Sequence, residues 1–182
     1  MSVSLTRLLL TILLGMSVFA SPAVAQGPVL LTVTGAVSIS NRGPADPFRD
    51  AFVHFHERSF KRAHTFDRAA LEALPQETLR AHAEGWPRAV TARGPRLSDL
   101  LAAAGVDAAA NVTLVALDGY AITLDASQRS EAEWILAITL DDMPLGLGGR
   151  GPAWLLQDTG ASLASAEQEA LWIWSVFLIE VE

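Results

Sequence analysis

Residues 111–124 read NVTLVALDGYAITL. Two runs of Val, Leu, Ile, Thr and Ala flank Asp118-Gly119, the dipeptide that most strongly marks a tight turn between antiparallel strands. The stretch reads as a hairpin, and its surroundings decide what kind of domain holds it. Just upstream, RGPRLSDLLAAAGV (93–106) is the clearest helix in the chain. Pro95 suits a first helical position, Leu97, Leu100 and Leu101 make one apolar stripe, and Gly105 suits the residue after the C-cap. Downstream come EWILAITLDDMPL (133–145), a strand or buried segment closed by a tight turn, the short strand AWLLQD (153–158), and LWIWSVFLIEVE (171–182) as a final strand. Trp172 and Trp174 would share one face of that strand.

Toward the N-terminus, PVLLTVTGAVSI (28–39) reads as a strand, or two with a bend at Gly35. SNRGPADPF (40–48) is a loop by its Asn, Gly and two prolines. FRDAFVHFHERSF (48–60) is ambiguous. HTFDRAALEALP (64–75) reads as a short helix, capped by Asp67 or Thr65 and ended by Pro75. Strands outnumber helices and the helices come singly, which points to an α+β domain rather than a doubly wound sheet.

The chain starts MSVSLTR, then LLLTILLGMSVFA, then SPAVAQ. One basic residue, an apolar run short of the roughly 20 residues that span a bilayer, and Ala23 and Ala25 before a cut make a secretory signal peptide over residues 1–25. An uncleaved anchor is the alternative. Arg7 stands alone, without a second arginine, which suggests export of an unfolded chain to the periplasm. Residues 26–182 would then form one domain. Losing Arg7 takes the balance from 13 basic and 20 acidic residues to 12 and 20, a net charge of −8. That argues against nucleic acid and anionic lipid as partners. The chain has no cysteine. Thiol catalysis, iron–sulfur clusters and thiolate metal ligands are therefore excluded.

Few motifs carry chemistry. His54 and His56 would share a face on a strand and could begin a metal site, completed by His64, His82 or a carboxylate. Two partly buried imidazoles are the plainer reading. Ser98 beside Asp99 lies on a helix, without a nucleophile elbow. Asp141 and Asp142 suit turn chemistry better than acid–base work. PLGLGGRGPAWLL (144–156) sets Arg150 among four glycines. Gly149 and Gly151 would let the backbone approach a ligand, and an arginine there invites a phosphate or carboxylate. A tight turn before a buried strand is the alternative. Of the five tryptophans, Trp86, Trp134, Trp154, Trp172 and Trp174, most belong in a core.

The order of these segments (helix, Asp-Gly-Tyr hairpin, Pro-Leu turn, Gly-Pro loop, closing tryptophan strand) resembles the sulfite-oxidase-type molybdopterin-binding domain. FDRAALEALPQETL (66–79) resembles the helix that precedes that family's cofactor cysteine. The likeness covers about residues 28–182. It implies a sulfite-oxidase-like α+β fold and a cleft near Asn41, Arg42, His82, Asp118, Tyr120 and the Gly149–Gly151 loop, where relatives hold a molybdopterin. The departures bear on activity. Where the family keeps its molybdenum thiolate, this chain reads ETLRAHAEGWP (77–87), with His82 nearest the slot; imidazole is a neutral ligand and does not reproduce a thiolate. The family's His-Gly-x-Pro-x-Arg loop corresponds to Arg150, Gly151, Pro152, Ala153 and Trp154, one cation fewer. The expectation is an exported, catalytically degenerate domain that binds a small anionic ligand or a protein partner such as a membrane sensor, without molybdenum. An active molybdopterin oxidoreductase with non-cysteine ligation, and a histidine metal-binding protein, are the alternatives.

Overall fold

The structure, a computed structural model, describes residues 27–182. The signal peptide expected over residues 1–25 lies outside them. Among the described residues the elements run β1 (Val29–Gly35), α1 (Ala51–Phe55), β2 (Ala63–Asp67), α2 (Arg68–Ala73), β3 (Gln76–Ala81), β4 (Val90–Pro95), α3 (Leu97–Ala103) and β5 (Val112–Ala116). They continue with β6 (Ala121–Leu124), α4 (Ala126–Glu131), β7 (Trp134–Ala137), β8 (Thr139–Leu140), β9 (Met143–Pro144), β10 (Trp154–Gln157), α5 (Ala166–Ala170) and β11 (Val176–Val181). The expected α+β architecture is present: many strands and short single helices.

The largest sheet has the order β2-β1-β11-β5-β6. The first and last strands lie side by side in parallel, with Thr32 opposite Leu178, and all other pairings are antiparallel. That parallel pairing closes the domain, because the whole chain between them must fold back before it can form. Burial follows position. Leu31 to Thr34 of β1 are all buried, whereas the edge strand β6 alternates exposed and buried residues. A four-stranded sheet, β3-β4-β8-β9, and the β10-β7 pair pack near it. Leu71, Leu97, Leu100, Leu114, Leu136, Leu155 and Trp154 are among the fully buried side chains of one continuous core. Truncating any of these leucines to alanine removes about 2–5 kcal/mol.

Several local expectations need correction. Residues 64–67 belong to β2, and the helix begins only at Arg68; Asp67 is its cap, accepting from the Ala70 N–H at 2.8 Å. Thr65 is a strand residue. Pro95 ends β4 opposite Gln76 instead of opening α3, whose cap position is Arg96. A proline tolerates the end of a strand, where a ladder donor is dispensable. Gly105 does follow the C-cap, with φ +67. β1 ends at Gly35 and no second strand follows to residue 39. Trp172 and Trp174 precede β11 and do not share a strand face: Trp172 is buried, while Trp174 is 41% exposed. The hairpin over 112–124 is as expected, with Ala116 N–H donating to the Tyr120 carbonyl at 2.8 Å. Asp141 and Asp142 form the β8–β9 turn, both at positive φ.

Candidate functional site

The glycine loop between β9 and β10 is a closed turn. Leu145 N–H anchors its start on the Ile138 carbonyl at 2.9 Å. The N–H groups of Gly149 and Gly151 both donate to the Gly146 carbonyl, at 3.3 and 3.2 Å. These two amides are thus spent within the loop, and the anion cradle expected of Gly149 and Gly151 is not what they form. The loop instead presents a side chain. Arg150 is exposed, and its guanidinium carbon lies 4.3 Å from the Trp154 ring centre and 5.5 Å from that of Trp86.

The seat under Arg150 is packed and hydrogen-bonded. Trp154 is 1% exposed and donates its indole N–H to the Trp172 carbonyl at 2.9 Å. Trp86 packs on Trp154 at 5.3 Å and edge-on to Trp172 at 5.5 Å, and its Nε1 donates to Glu169 Oε1 at 2.6 Å. Two indole rings attract the cation through their quadrupoles, and the arginine remains exposed. Among the described residues no carboxylate forms an ion pair with Arg150; Arg42, Arg58, Arg68, Arg88 and Arg96 each have one, while Arg49, Lys61, Arg62, Arg80, Arg93 and Arg129, like Arg150, have none. Ser175, buried at φ +55, ties the loop to the hairpin: its N–H donates to the Arg150 carbonyl at 2.9 Å and its carbonyl accepts from Leu117 N–H at 3.0 Å.

The other residues singled out from sequence fall into separate places. Asp118 and Tyr120 stand on the β5–β6 turn, where Asp118 Oδ1 accepts from Tyr120 N–H at 3.0 Å and the Tyr120 hydroxyl donates to the Ala170 carbonyl at 2.9 Å. Arg42 pairs with Asp50 and covers the Phe60 ring at 5.2 Å. It lines a cleft with Leu117, Leu147 and Pro152, so it approaches the flanks of the glycine loop, but Arg150 and His82 do not line that cleft. Asn41 is tied to Thr65, accepting from its N–H at 2.8 Å and donating to its carbonyl at 2.9 Å. His82 follows β3, half-buried between the buried Ala81 and Ala83, and its carbonyl accepts from Ala164 N–H at 2.7 Å. Trp86, from the same stretch, supplies one of the two rings under Arg150.

The histidine pair does not have the geometry expected of it. His54 is in α1 and His56 is its C-cap, so residues two apart turn to different sides of a helix. His54 is exposed, whereas His56 Nε2 sits 3.1 Å from the Leu117 carbonyl and its ring packs on Phe177. His64 is buried, and desolvation holds its imidazole below the usual histidine value, partly offset by the Ile39 carbonyl 3.2 Å from Nδ1. Among the described residues no three His, Asp or Glu side chains are grouped to hold a metal ion.

The fold is similar to that of the sulfane dehydrogenase SoxCD from Paracoccus pantotrophus, with a TM-score of 0.56 and 16% identity, over 84% of this chain and 37% of that chain. The chain thus spans little more than a third of that structure's length. No protein-family model matches the sequence, and no curated protein does. The structural likeness establishes the fold as the sulfite-oxidase-like one that the ordered segments resemble.

The molybdopterin centre that the family resemblance implies does not fit the residues present. A thiolate is the expected protein ligand to molybdenum, and the chain contains none. In the loop itself, a single arginine and Gly149 and Gly151 amides that are already occupied are a thin set of partners for an anionic pterin phosphate.

Proposed function

We propose that this chain is an exported, non-catalytic binding domain built on the molybdopterin-oxidoreductase fold, and that Arg150 receives a small oxyanion or the acidic group of a partner protein, such as a membrane sensor. The observation that carries this reading is the guanidinium of Arg150, exposed, without a carboxylate partner among the described residues, and seated on Trp86 and Trp154. An arginine pre-positioned in this way loses little side-chain entropy on binding, and its planar fork suits two oxygens of one phosphate or carboxylate.

Calorimetric titration with inorganic phosphate tests it. Wild-type protein should bind saturably. Arg150→Ala should weaken binding by roughly ten- to a hundredfold, the equivalent of one charge-assisted bond pair. Arg150→Lys should recover only part of the loss, because an ammonium is a point charge without the fork. Unchanged binding in Arg150→Ala would sink the proposal. Because Arg150 lies on two indoles, tryptophan fluorescence gives a second readout of the same event.

A further inference from the structure

The turn carrying Asp118 and Tyr120 also forms one wall of a separate cleft of about 320 Å³, whose other walls come from the end of α5 and the segment before β11. Asp118, Tyr120, Glu169, Trp172 and Trp174 line it, and no lysine, arginine or histidine does. Two of its aromatic rings are open to solvent: Tyr120 is 50% and Trp174 41% exposed. Tyr120 is held across the cleft by its hydroxyl bond to the Ala170 carbonyl. Each carboxylate has one oxygen engaged, Asp118 Oδ1 by the Tyr120 N–H and Glu169 Oε1 by the Trp86 indole. Trp172, one of the lining residues, also carries an unmatched donor. Trp172 is 3% exposed, and its buried Nε1 meets no acceptor among the described residues.

These three features select a ligand. Exposed aromatic faces attract organic cations more than hydrated metal ions. Two carboxylates without a cation among the lining residues favour the same charge. A buried indole N–H lacking an acceptor is an unfavourable arrangement that a ligand oxygen would relieve. We propose that this cleft binds a small organic ammonium that also carries a neutral oxygen acceptor, choline being the simplest form. The ammonium rests against Tyr120 and Trp174 with Asp118 and Glu169 beside it, and the hydroxyl oxygen accepts from Trp172 Nε1. A carboxylate in place of the hydroxyl would meet Asp118 and Glu169 and be disfavoured. The site is distinct from Arg150 and takes the opposite charge.

Titration with choline, tetramethylammonium and glycine betaine, followed by calorimetry and tryptophan fluorescence, tests this. Choline should bind saturably at about millimolar concentration or below, tetramethylammonium more weakly, and betaine most weakly. Trp174→Ala, at a partly exposed position, and Asp118→Asn should each weaken choline about tenfold or more. Trp172→Phe keeps a ring but removes the N–H; it should bring choline down to the level of tetramethylammonium and leave tetramethylammonium unchanged. Absence of saturable binding by either cation up to about 10 mM, or Asp118→Asn binding choline as tightly as wild type, overturns the proposal. So does betaine binding more tightly than choline. Arg150→Ala should leave the choline isotherm unaltered. Loss of phosphate binding with choline binding intact supports both sites, and a wild type that binds choline but not phosphate refutes the oxyanion reading alone.

Discussion

Ser175 offers a test of how the glycine loop is held, because its backbone and side-chain contributions have opposite signs. It is 6% exposed and adopts φ +55, a region where a Cβ is crowded by the neighbouring carbonyl. Its N–H and carbonyl clamp Arg150 and Leu117, while its hydroxyl reaches the Gly149 carbonyl at only 3.4 Å. Ser175→Gly should relieve about 1 kcal/mol of left-handed strain. Against this stand about 0.5–1 kcal/mol of added unfolded-chain freedom and less than about 0.5 kcal/mol for the long hydroxyl contact. The sum lies within about 1 kcal/mol of wild type. Ser175→Val puts a β-branched side chain at the same φ in a buried position and should cost about 2–4 kcal/mol. For a domain of this size the valine variant should melt roughly 5–15 °C lower and the glycine variant within a few degrees of wild type. Thermal melts by circular dichroism give the order. Phosphate titration should show the glycine variant still binding, since the two backbone bonds persist. A glycine variant destabilised by more than about 2 kcal/mol, with valine tolerated, would mean that the hydroxyl and not the backbone holds the loop, and the reasoning fails.

Gly35→Ala should cost more than about 3 kcal/mol or abolish folding, because at φ +90 a Cβ would lie 2.1 Å from the Val181 carbonyl oxygen on the neighbouring β11; soluble yield and urea denaturation measure it. His64 should make the domain acid-sensitive. Burial lowers its pKa from 6.5, so the unfolded chain binds more protons, and the neutral imidazole's contribution is fully present above that value and lost as pH falls below it. Denaturation midpoints taken from about pH 7.5 down to 5 should fall less steeply in His64→Gln than in wild type. Metal analysis of the protein purified from its native host should find no stoichiometric molybdenum. His82→Cys alone should confer neither molybdenum binding nor oxidase or reductase activity; stoichiometric molybdenum in the wild type would make the oxidoreductase reading the better one.

The sequence was most legible where a local rule and the tertiary environment agree. The Asp118-Gly119 turn, the α3 stripe with Gly105 behind it, and the glycine–proline loop before β10 each carry their own signal, and their order resembles one known domain closely enough to imply the fold. It was less legible where a residue's partner is remote. Pro95 looks like a helix start by itself, yet pairing with Gln76 makes it the end of β4. Residues 63–67 carry too few β-branched residues to announce a strand, and they form one because β1 offers them a ladder from Val29 to Thr34. The ambiguous stretch 48–60 became a one-turn helix whose buried Val53 joins Phe60 and Ala63 in a small second core.

The site shows the same division. An arginine among glycines is visible in one dimension, and so is the absence of a thiolate. What turns Arg150 into a receptor for an anion, in our reading, is the indole pair beneath it, and Trp86 and Trp154 come from stretches far apart in the chain. Trp86 could have been suspected: it sits between Gly85 and Pro87 in a polar loop, an odd place for a side chain destined only for a core. Glu169 and Ser175 carry no comparable signal, since an acid on a short helix and a serine before a strand are ordinary there. The glycines also mislead when read alone. Gly149 and Gly151 suggest a backbone that binds, but their amides close on Gly146, so the loop's chemistry passes to the one charged side chain it exposes. Here, on the proposed reading, the turn, the Ser175 clamp and the tryptophan seat hold a single cation outward, which suits recognition of an anion and requires no redox chemistry.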